Sequence, residues 1–216
     1  MASPNIERIR ELAKSRETLS TAEIVAGGVS NQAVTRLVRN GELERVRRGI
    51  YRLPDSPISE HHDLVSVVKG VPKAVIVLIS ALRYHEIGTE VAHEVWIQLP
   101  IKAHAPRIGW PSIRIVRSSV SALFTEGVEN HLISGEKIPI TCPARTVADC
   151  FKFRNQIGLE VCLEALREIL QSKRGIIDEI YHYAKLNRVA RVMQPYLEGM
   201  SSLQKIPRRS SNGTPF

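Results

Sequence analysis

The first part of the chain carries apolar residues at helical spacing, interrupted by signals that start and stop helices. Ile6 and Ile9 begin an apolar stripe that recurs every three or four positions and predicts an amphipathic helix over residues 5–15. Ser20 and Glu23 form a capping box, in which each side chain can satisfy a free backbone N–H of a first helical turn. The pattern therefore predicts a second helix from Ser20, and the glycine pair that follows it predicts a tight turn.

A third helix is predicted between its cap, Ser30, and the stop signal Asn40-Gly41, and it has two chemically different faces. At about 100° per residue, the apolar side chains fall within an arc of roughly 140°. The opposite side carries amide, hydroxyl and guanidinium groups, at Gln32, Thr35, Arg36 and Arg39. These groups read base edges in the major groove of DNA. The pattern therefore predicts a recognition helix, with Ser30 and Asn31 at its start as further DNA contacts.

A partly alternating basic segment, LERVRRGIYRL, follows the third helix and predicts a hairpin with Arg48 near its tip. Two short helices, a glycine turn, a recognition helix and a basic hairpin are typical of a winged helix-turn-helix, whose wing contacts phosphates or the minor groove. We expect at least two of the wing arginines to contact phosphates, the candidates being Arg45, Arg47, Arg48 and Arg52. Strand alternation should send some of them to the far face, and pairing with Glu42 or Glu44 is the alternative.

The remainder of the chain has a different pattern. Residues 54–59, PDSPIS, predict a linker between a winged-helix domain at 1–53 and a larger domain at 60–200. In the larger domain EVWIQLP, SIRIVRS, GVENHLI and KIPIT predict strands, and KAVIVLI is either a strand or the start of a helix. From Pro143 onward the pattern is helical, with Pro195 expected to kink or shorten the last helix. The predicted class is α+β or α/β, with strands first and a helical bundle last. Residues 201–216 predict a disordered tail.

Composition narrows the class of partner. The chain has 216 residues and a formal net charge of +8, which favours a polyanionic partner, nucleic acid first. No apolar run approaches the roughly 20 residues that span a bilayer, so no membrane partner is expected. Cys142, Cys150 and Cys162 fit no metal-binding spacing and indicate a reduced, cytoplasmic protein. No cofactor is predicted.

Linear enzyme motifs are missing from the sequence. It has no Asp-x-Asp for a nucleotidyltransferase metal site and no Asp/Glu-x-Lys for a restriction-type nuclease centre. A P-loop, G-x-S-x-G and H-E-x-x-H are also absent. We therefore expect a protein that is not an enzyme. Two alternatives stay open: a nucleic-acid enzyme with a dispersed, nuclease-like site that the winged helix docks, and a repressor that senses a small ligand.

Several segments, in order, resemble one known family. GGVSNQAVTRLVRNGELERVRRGIYRLP resembles the N-terminal winged helix of AbiEi-type antitoxins, whose pattern is matched by Gly41, Leu43, Arg48, Gly49, Tyr51, Arg52 and Leu53. SALRYHEIG, EVWIQLP and ARTVADCFKFRNQIGLEVCLEALRE are similar to segments of the family's second domain. The resemblance covers roughly residues 5–200. One departure is Glu86, which stands where the family often has a glycine.

The resemblance implies a function that the patterns alone do not. Such proteins are antitoxins of type IV toxin–antitoxin systems of the abortive-infection type, which act in phage defence. They repress their own operon by binding inverted repeats, and they counteract a nucleotidyltransferase toxin of AbiEii type. The family's Arg-Thr-x-x-Asp helix makes Arg145, Thr146 and Asp149 candidates for toxin neutralisation. From the residues alone, Thr146 and Asp149 are interpreted as helix-surface or locally hydrogen-bonded residues.

Overall fold

A computed structural model of the chain describes residues 4–14, 16–55, 60–104, 106, 108–172 and 177–204, with side chains as far as residue 200. The chain forms two compact units. The N-terminal unit comprises Met1–Ala74, Pro106–Pro111 and Asn130–Pro139, and the C-terminal unit comprises Val75–Ala105, Ser112–Glu129 and Ile140–Phe216. The predicted linker and tail fall largely outside the described residues, so the boundary proposed at 54–59 stays a prediction.

The N-terminal unit combines short helices with a small antiparallel sheet. Its helices are α1 (Pro4–Ala13), α2 (Thr21–Ala26), α3 (Asn31–Arg39) and α4 (His62–Gly70). Its strands β1 (Leu19–Ser20), β2 (Glu44–Arg47) and β3 (Ile50–Arg52) pair antiparallel in the order β1-β3-β2. The first three helices and the basic hairpin lie where the sequence predicts them. The strand β1 was not predicted, because two residues are too short to show a period.

Local signals in the sequence explain the turn between α2 and α3. Ser20 Oγ accepts the N–H of Glu23 at 3.2 Å, and the Glu23 carboxylate accepts the N–H of Ser20 at 2.6 Å, which completes the predicted capping box. Gly28 follows α2 with φ 86°, a left-handed conformation that glycine adopts without steric cost. Side chains from helices α1, α2 and α3, from β1 and from the turns after α2 and α3 share one apolar core, made of Ile6, Ile9, Leu19, Ile24, Val29, Ala33, Val34, Leu37 and Leu43.

The C-terminal unit carries most of a five-stranded sheet with helices that follow it in sequence. The strands are β4 (Val75–Ile76), β5 (Val95–Pro100), β6 (Ile113–Ser118), β7 (Val128–Ile133) and β8 (Glu136–Thr141). Their order is β6-β5-β4-β8-β7, with β4 parallel to β8, β5 parallel to β6, and β4 antiparallel to β5. Residues 130–139, which include most of β7 and β8 and the turn between them, belong to the N-terminal unit.

The helices of this unit confirm the α+β class. They are α5 (Leu78–Tyr84), α6 (Pro143–Lys152), α7 (Arg154–Ile157), α8 (Leu159–Gln171), α9 (Ile177–Leu186) and α10 (Ala190–Gln204), with a 3₁₀ turn at Ser121–Phe124. The segment KAVIVLI resolves into both alternatives, since β4 is followed directly by α5. Pro143 occupies the first turn of α6, as its missing N–H predicts. Pro195 lies inside α10 and does not end it.

The departure from the family pattern at Glu86 has a structural consequence. Glu86 follows α5 with φ 55°, and the N–H of Ile87 bonds the carbonyl of Leu82 at 2.9 Å, as in a left-handed helix ending. A side chain in this conformation costs about 1 kcal/mol, which glycine avoids. We therefore expect Glu86→Gly to raise the free energy of unfolding by about 0.5–1 kcal/mol in urea denaturation. A lower stability would show that the Glu86 side chain makes a compensating contact.

Candidate nucleic-acid interface

Helix α3 is fixed in place by its cap and by its apolar face. Ser30 Oγ accepts the N–H of Ala33 at 3.3 Å, which satisfies a free donor of the first turn. Ala33, Val34 and Leu37 are buried in the core of the N-terminal unit, and at most 8% of the surface of each residue is exposed. The opposite face of the helix is thereby held outward.

The outward face of α3 consists of the predicted polar residues. Asn31, Gln32, Thr35, Arg36 and Arg39 are all exposed. Thr35 Oγ1 donates to the carbonyl of Asn31 at 3.0 Å, so this hydroxyl is partly engaged by its own helix. Within the part of the chain that the structure describes, the side chains of Gln32, Arg36 and Arg39 make no hydrogen bond or ion pair. Their amide and guanidinium groups are therefore available for base edges and phosphates.

The basic hairpin is joined to α2 at its tip. Gly49 has φ 77°, and its carbonyl accepts the backbone N–H of Thr21 at 2.8 Å. The residue before it, Arg48, is exposed. A hairpin fixed in this way holds Arg48 at a constant position beside the helix-turn-helix, which is the place of a wing.

The four wing arginines divide into two pairs. Arg45 and Arg48 are exposed, and the described residues offer them no ion pair. Arg52 Nε donates to Glu44 Oε2 at 2.6 Å across the strands, which is the predicted alternative of pairing with a glutamate. Arg47 Nη2 donates to the carbonyl of Ser66 in α4 at 3.0 Å, and burial lowers the pKa of its guanidinium. Among the described residues, the exposed arginines of the hairpin that make no ion pair are therefore Arg45 and Arg48.

The alternation of side-chain direction along a strand does not predict the position of Arg47, because the strand contains a bulge. The pairing of β2 with β3 shifts register between Arg45 and Arg47, because Arg45 lies opposite Tyr51 and Arg47 lies opposite Ile50. Such a bulge changes which face each following side chain takes. The partner of Arg47, the carbonyl of Ser66, is also remote in sequence. Neither the bulge nor this partner has a local signal.

Arg47 and Arg48 form a matched pair for testing the wing. We expect Arg48→Ala to lower DNA affinity by about 1 kcal/mol and to reduce the slope of log affinity against log salt by about one unit. Arg47→Ala should instead lower the thermal stability and leave that slope unchanged, because its guanidinium bonds α4. Anisotropy titrations at several salt concentrations, with a melting curve for each variant, measure both effects. If Arg47→Ala reduced the slope and Arg48→Ala lowered the stability, Arg47 and not Arg48 would be the arginine that contacts DNA.

The candidates in the C-terminal unit are buried and form one network. Arg145 and Thr146 are 0% exposed and Asp149 is 3% exposed, so the interpretation of Thr146 and Asp149 as surface residues is wrong. Arg145 Nε donates to both carboxylate oxygens of Asp149, at 3.0 and 3.1 Å. Thr146 Oγ1 bonds the carbonyls of Thr141 and Cys142 at 3.0 and 2.9 Å. The local hydrogen bonding that was expected is thus present, inside the unit.

The same network contains residues that the sequence analysis did not single out. Asn187 Nδ2 donates to Asp149 Oδ1 at 2.6 Å, and Arg145 Nη2 donates to Gln98 Oε1 at 3.3 Å. Arg145 Nη1 donates to the carbonyl of Glu126 at 2.6 Å. Burial raises the pKa of Asp149, while the Arg145 guanidinium and the Asn187 amide act in the opposite direction. No signal links these positions in the sequence, because 38 residues separate Asp149 from Asn187.

Metal-ligating side chains do not cluster in the described residues. These residues contain no group of three or more His, Cys, Asp or Glu side chains that could hold a metal ion. Cys142, Cys150 and Cys162 are free thiols and buried. None of the described helices is both long enough and apolar enough to cross a bilayer.

A comparison with known proteins finds a family match in the N-terminal residues. Residues 7–54 match the model of a family described as transcriptional regulator, AbiEi antitoxin, which confirms the resemblance over these residues. The crystal structure of the RV2827C protein from Mycobacterium tuberculosis has a TM-score of 0.58 and 13% identity, and the match covers 94% of this chain and 82% of that chain. At this identity the likeness concerns the fold alone. No curated protein matches the chain.

Proposed function

We propose that this chain, whose residues 7–54 match the AbiEi antitoxin transcriptional regulator family, is a DNA-binding repressor of its own operon. The observation that carries the proposal is the outward face of α3, where Gln32, Arg36 and Arg39 are exposed and have no partner among the described residues. Arginine reads guanine and glutamine reads adenine in the major groove. The operator would lie upstream of the chain's own gene and contain inverted repeats.

Phosphate contacts and base contacts would be divided between the wing and α3. The exposed arginines of the wing, Arg45 and Arg48, support phosphate contacts, which fix orientation and carry no sequence information. Ser30 and Asn31 stand at the N-terminus of α3, where backbone N–H groups favour an anion such as phosphate. We assign base reading to the exposed side chains of α3. Binding of this kind weakens steeply as salt rises, because phosphate contacts release counterions.

We also propose that the chain counteracts a nucleotidyltransferase toxin of AbiEii type. The support is the family match of the N-terminal residues together with the resemblance of the later segments. Since Arg145, Thr146 and Asp149 are buried, their proposed contribution is to hold the C-terminal unit in shape for other groups that face the toxin. Neither role requires a catalytic step, and both belong in the cytoplasm, where DNA and toxin are found.

Co-expression tests the two roles separately. The wild-type chain should repress a reporter driven by the DNA upstream of this gene. The Arg36→Ala/Arg39→Ala double variant should fail to repress it. Growth arrest caused by a nucleotidyltransferase encoded beside the gene should be relieved by the wild-type chain. Repression that survives the double substitution would contradict the assignment of α3. Growth arrest that the chain does not relieve would contradict the antitoxin role.

A further inference from the structure

The C-terminal unit contains a cavity that the proposed functions do not use. Its volume is about 250 Å³, and it is bounded by β5, β6, α6 and the end of α9. Three buried polar side chains contribute to its lining: Gln98, Asp149 and Asn187, which are 5%, 3% and 2% exposed. Buried polar groups in a concave lining are the usual means by which a protein orients a small ligand.

These three side chains are held rigidly by the network around Arg145. Asp149 accepts hydrogen bonds from Arg145 and Asn187, and Gln98 accepts one from Arg145. The guanidinium of Arg145 also offsets the charge of the Asp149 carboxylate. This part of the lining therefore presents fixed acceptors without a net charge, which suits a hydroxyl or amino group of a ligand.

The remaining polar lining is cationic. Arg117, Lys152 and Arg188 line the cavity and are exposed, and Asp149 is the only acidic residue among the described residues that line it. Arg117 Nη1 bonds the carbonyls of Pro100 and Ala103 at 3.1 and 2.7 Å, which fixes that side chain. Lys152 Nζ donates to the carbonyl of Asn187 at 3.2 Å and so uses one of its three N–H groups. Three cations around one opening favour a ligand with a multiply charged anionic group.

The backbone conformation at Arg188 allows a clean test of its side chain. Arg188 has φ 59°, the left-handed region in which glycine or asparagine is usual after a helix. Its N–H bonds the carbonyl of Lys185 at 2.9 Å, as in such a helix ending. A glycine would adopt this conformation without steric cost, so replacing Arg188 by glycine removes the cation without straining the backbone. The Arg188 side chain lines the cavity.

We propose that this cavity binds a small phosphomonoester. The phosphate would lie between Arg117, Lys152 and Arg188, with arginine favoured because its planar group bonds two phosphate oxygens at once. A hydroxyl or amino group of the ligand would bond Asp149 or Gln98. The volume, slightly below the roughly 300 Å³ of typical ligand pockets, admits one small molecule and not a nucleic-acid chain. The proposal is independent of the DNA-binding role.

Calorimetric titration of the full chain tests the site with ribose 5-phosphate and adenosine 5′-monophosphate as probes. Ribose and inorganic phosphate are the controls. At least one of the two esters should bind saturably with one site per chain and tighter than ribose and inorganic phosphate. The preferred ester would distinguish a sugar phosphate from a nucleotide. Failure of both esters to bind, or inorganic phosphate binding as tightly as the better ester, would overturn the proposal.

Variants at Arg188 separate binding from folding. Arg188→Gly removes the cation and relieves the left-handed backbone, so its Tm should equal or exceed that of the wild type. Its affinity for the ester should nevertheless fall roughly ten- to hundredfold, as expected for a lost charge-assisted hydrogen bond. Arg191→Ala, at an exposed arginine of α10 that does not line the cavity, should leave the affinity unchanged. Equal affinities of Arg188→Gly and wild type would overturn the proposal.

Discussion

Asp149→Ala is expected to lower the free energy of unfolding by about 3–5 kcal/mol, the usual cost of removing one partner from a buried ion pair. The substitution leaves the fully buried guanidinium of Arg145 without its carboxylate, which it contacts at 3.0 and 3.1 Å. It also removes the acceptor of the Asn187 amide. Chemical denaturation in urea, with wild type alongside, measures the change.

Two further variants make the result specific to the network. Asp149→Asn keeps the shape and one acceptor oxygen, so it should cost less than the alanine variant. Asp178→Ala removes an exposed carboxylate from the first turn of α9 and should change the stability by about 0.5 kcal/mol or less. If Asp149→Ala proved as mild as Asp178→Ala, the buried network would not be a main source of stability in the C-terminal unit.

Arg36→Ala and Arg39→Ala, combined, should reduce operator affinity by about 1–3 kcal/mol for each arginine that contacts a base. Both side chains are exposed and lie on the face of α3 opposite its buried Leu37. Their removal should therefore leave the melting temperature close to that of the wild type. Anisotropy titration against the upstream duplex, combined with a melting curve, separates lost recognition from lost folding.

Lysine at the same two positions distinguishes base reading from simple charge. Arg36→Lys/Arg39→Lys keeps both positive charges but replaces the rigid planar fork that arginine presents to guanine with a flexible ammonium group. We expect the lysine variant to keep the salt dependence of binding and to lose discrimination between operator and scrambled DNA. A lysine variant that discriminates as well as the wild type would show that these arginines contact phosphates and not bases.

The N-terminal helices could be predicted because their signals are local. The capping box of Ser20 and Glu23, the cap Ser30 and the left-handed Gly28 each act within a few residues, and the structure contains all three. The two faces of α3 follow from a helical period alone. Packing of that helix against the core then exposes the residues that the pattern predicted.

The partners of charged side chains could not be predicted, because they are set by contacts between distant segments. Arg47 turns toward the carbonyl of Ser66 after a bulge, and Arg145 is enclosed by carbonyls and side chains from other elements. A sequence pattern treats every arginine as a surface residue, since a buried one is stable only when its partners are in place. The burial of Arg145 is therefore a tertiary property.

The N-terminal unit also contains two segments from later in the chain, which the sequence pattern assigns to the second domain. Lys69 Nζ lies 3.1 Å from Glu136 Oε1, and the rings of His62 and Trp110 have centroids 5.7 Å apart. Glu136 and Trp110 come from the segments Asn130–Pro139 and Pro106–Pro111, which belong to this unit. The sequence pattern assigns both segments to the second domain, because they lie among strands that are predicted for that domain.

DNA reading by α3 and its wing is tested most directly by anisotropy titration of the purified chain against a labelled duplex from upstream of its own gene. A scrambled duplex of the same length and composition serves as the control, and salt is varied between about 50 and 200 mM. We predict binding that is at least about a thousandfold tighter to the upstream duplex than to the scrambled one and that weakens steeply with salt. Equal affinity for the two duplexes, or affinity unaffected by salt, would contradict the assignment of α3 and its wing as a DNA reader.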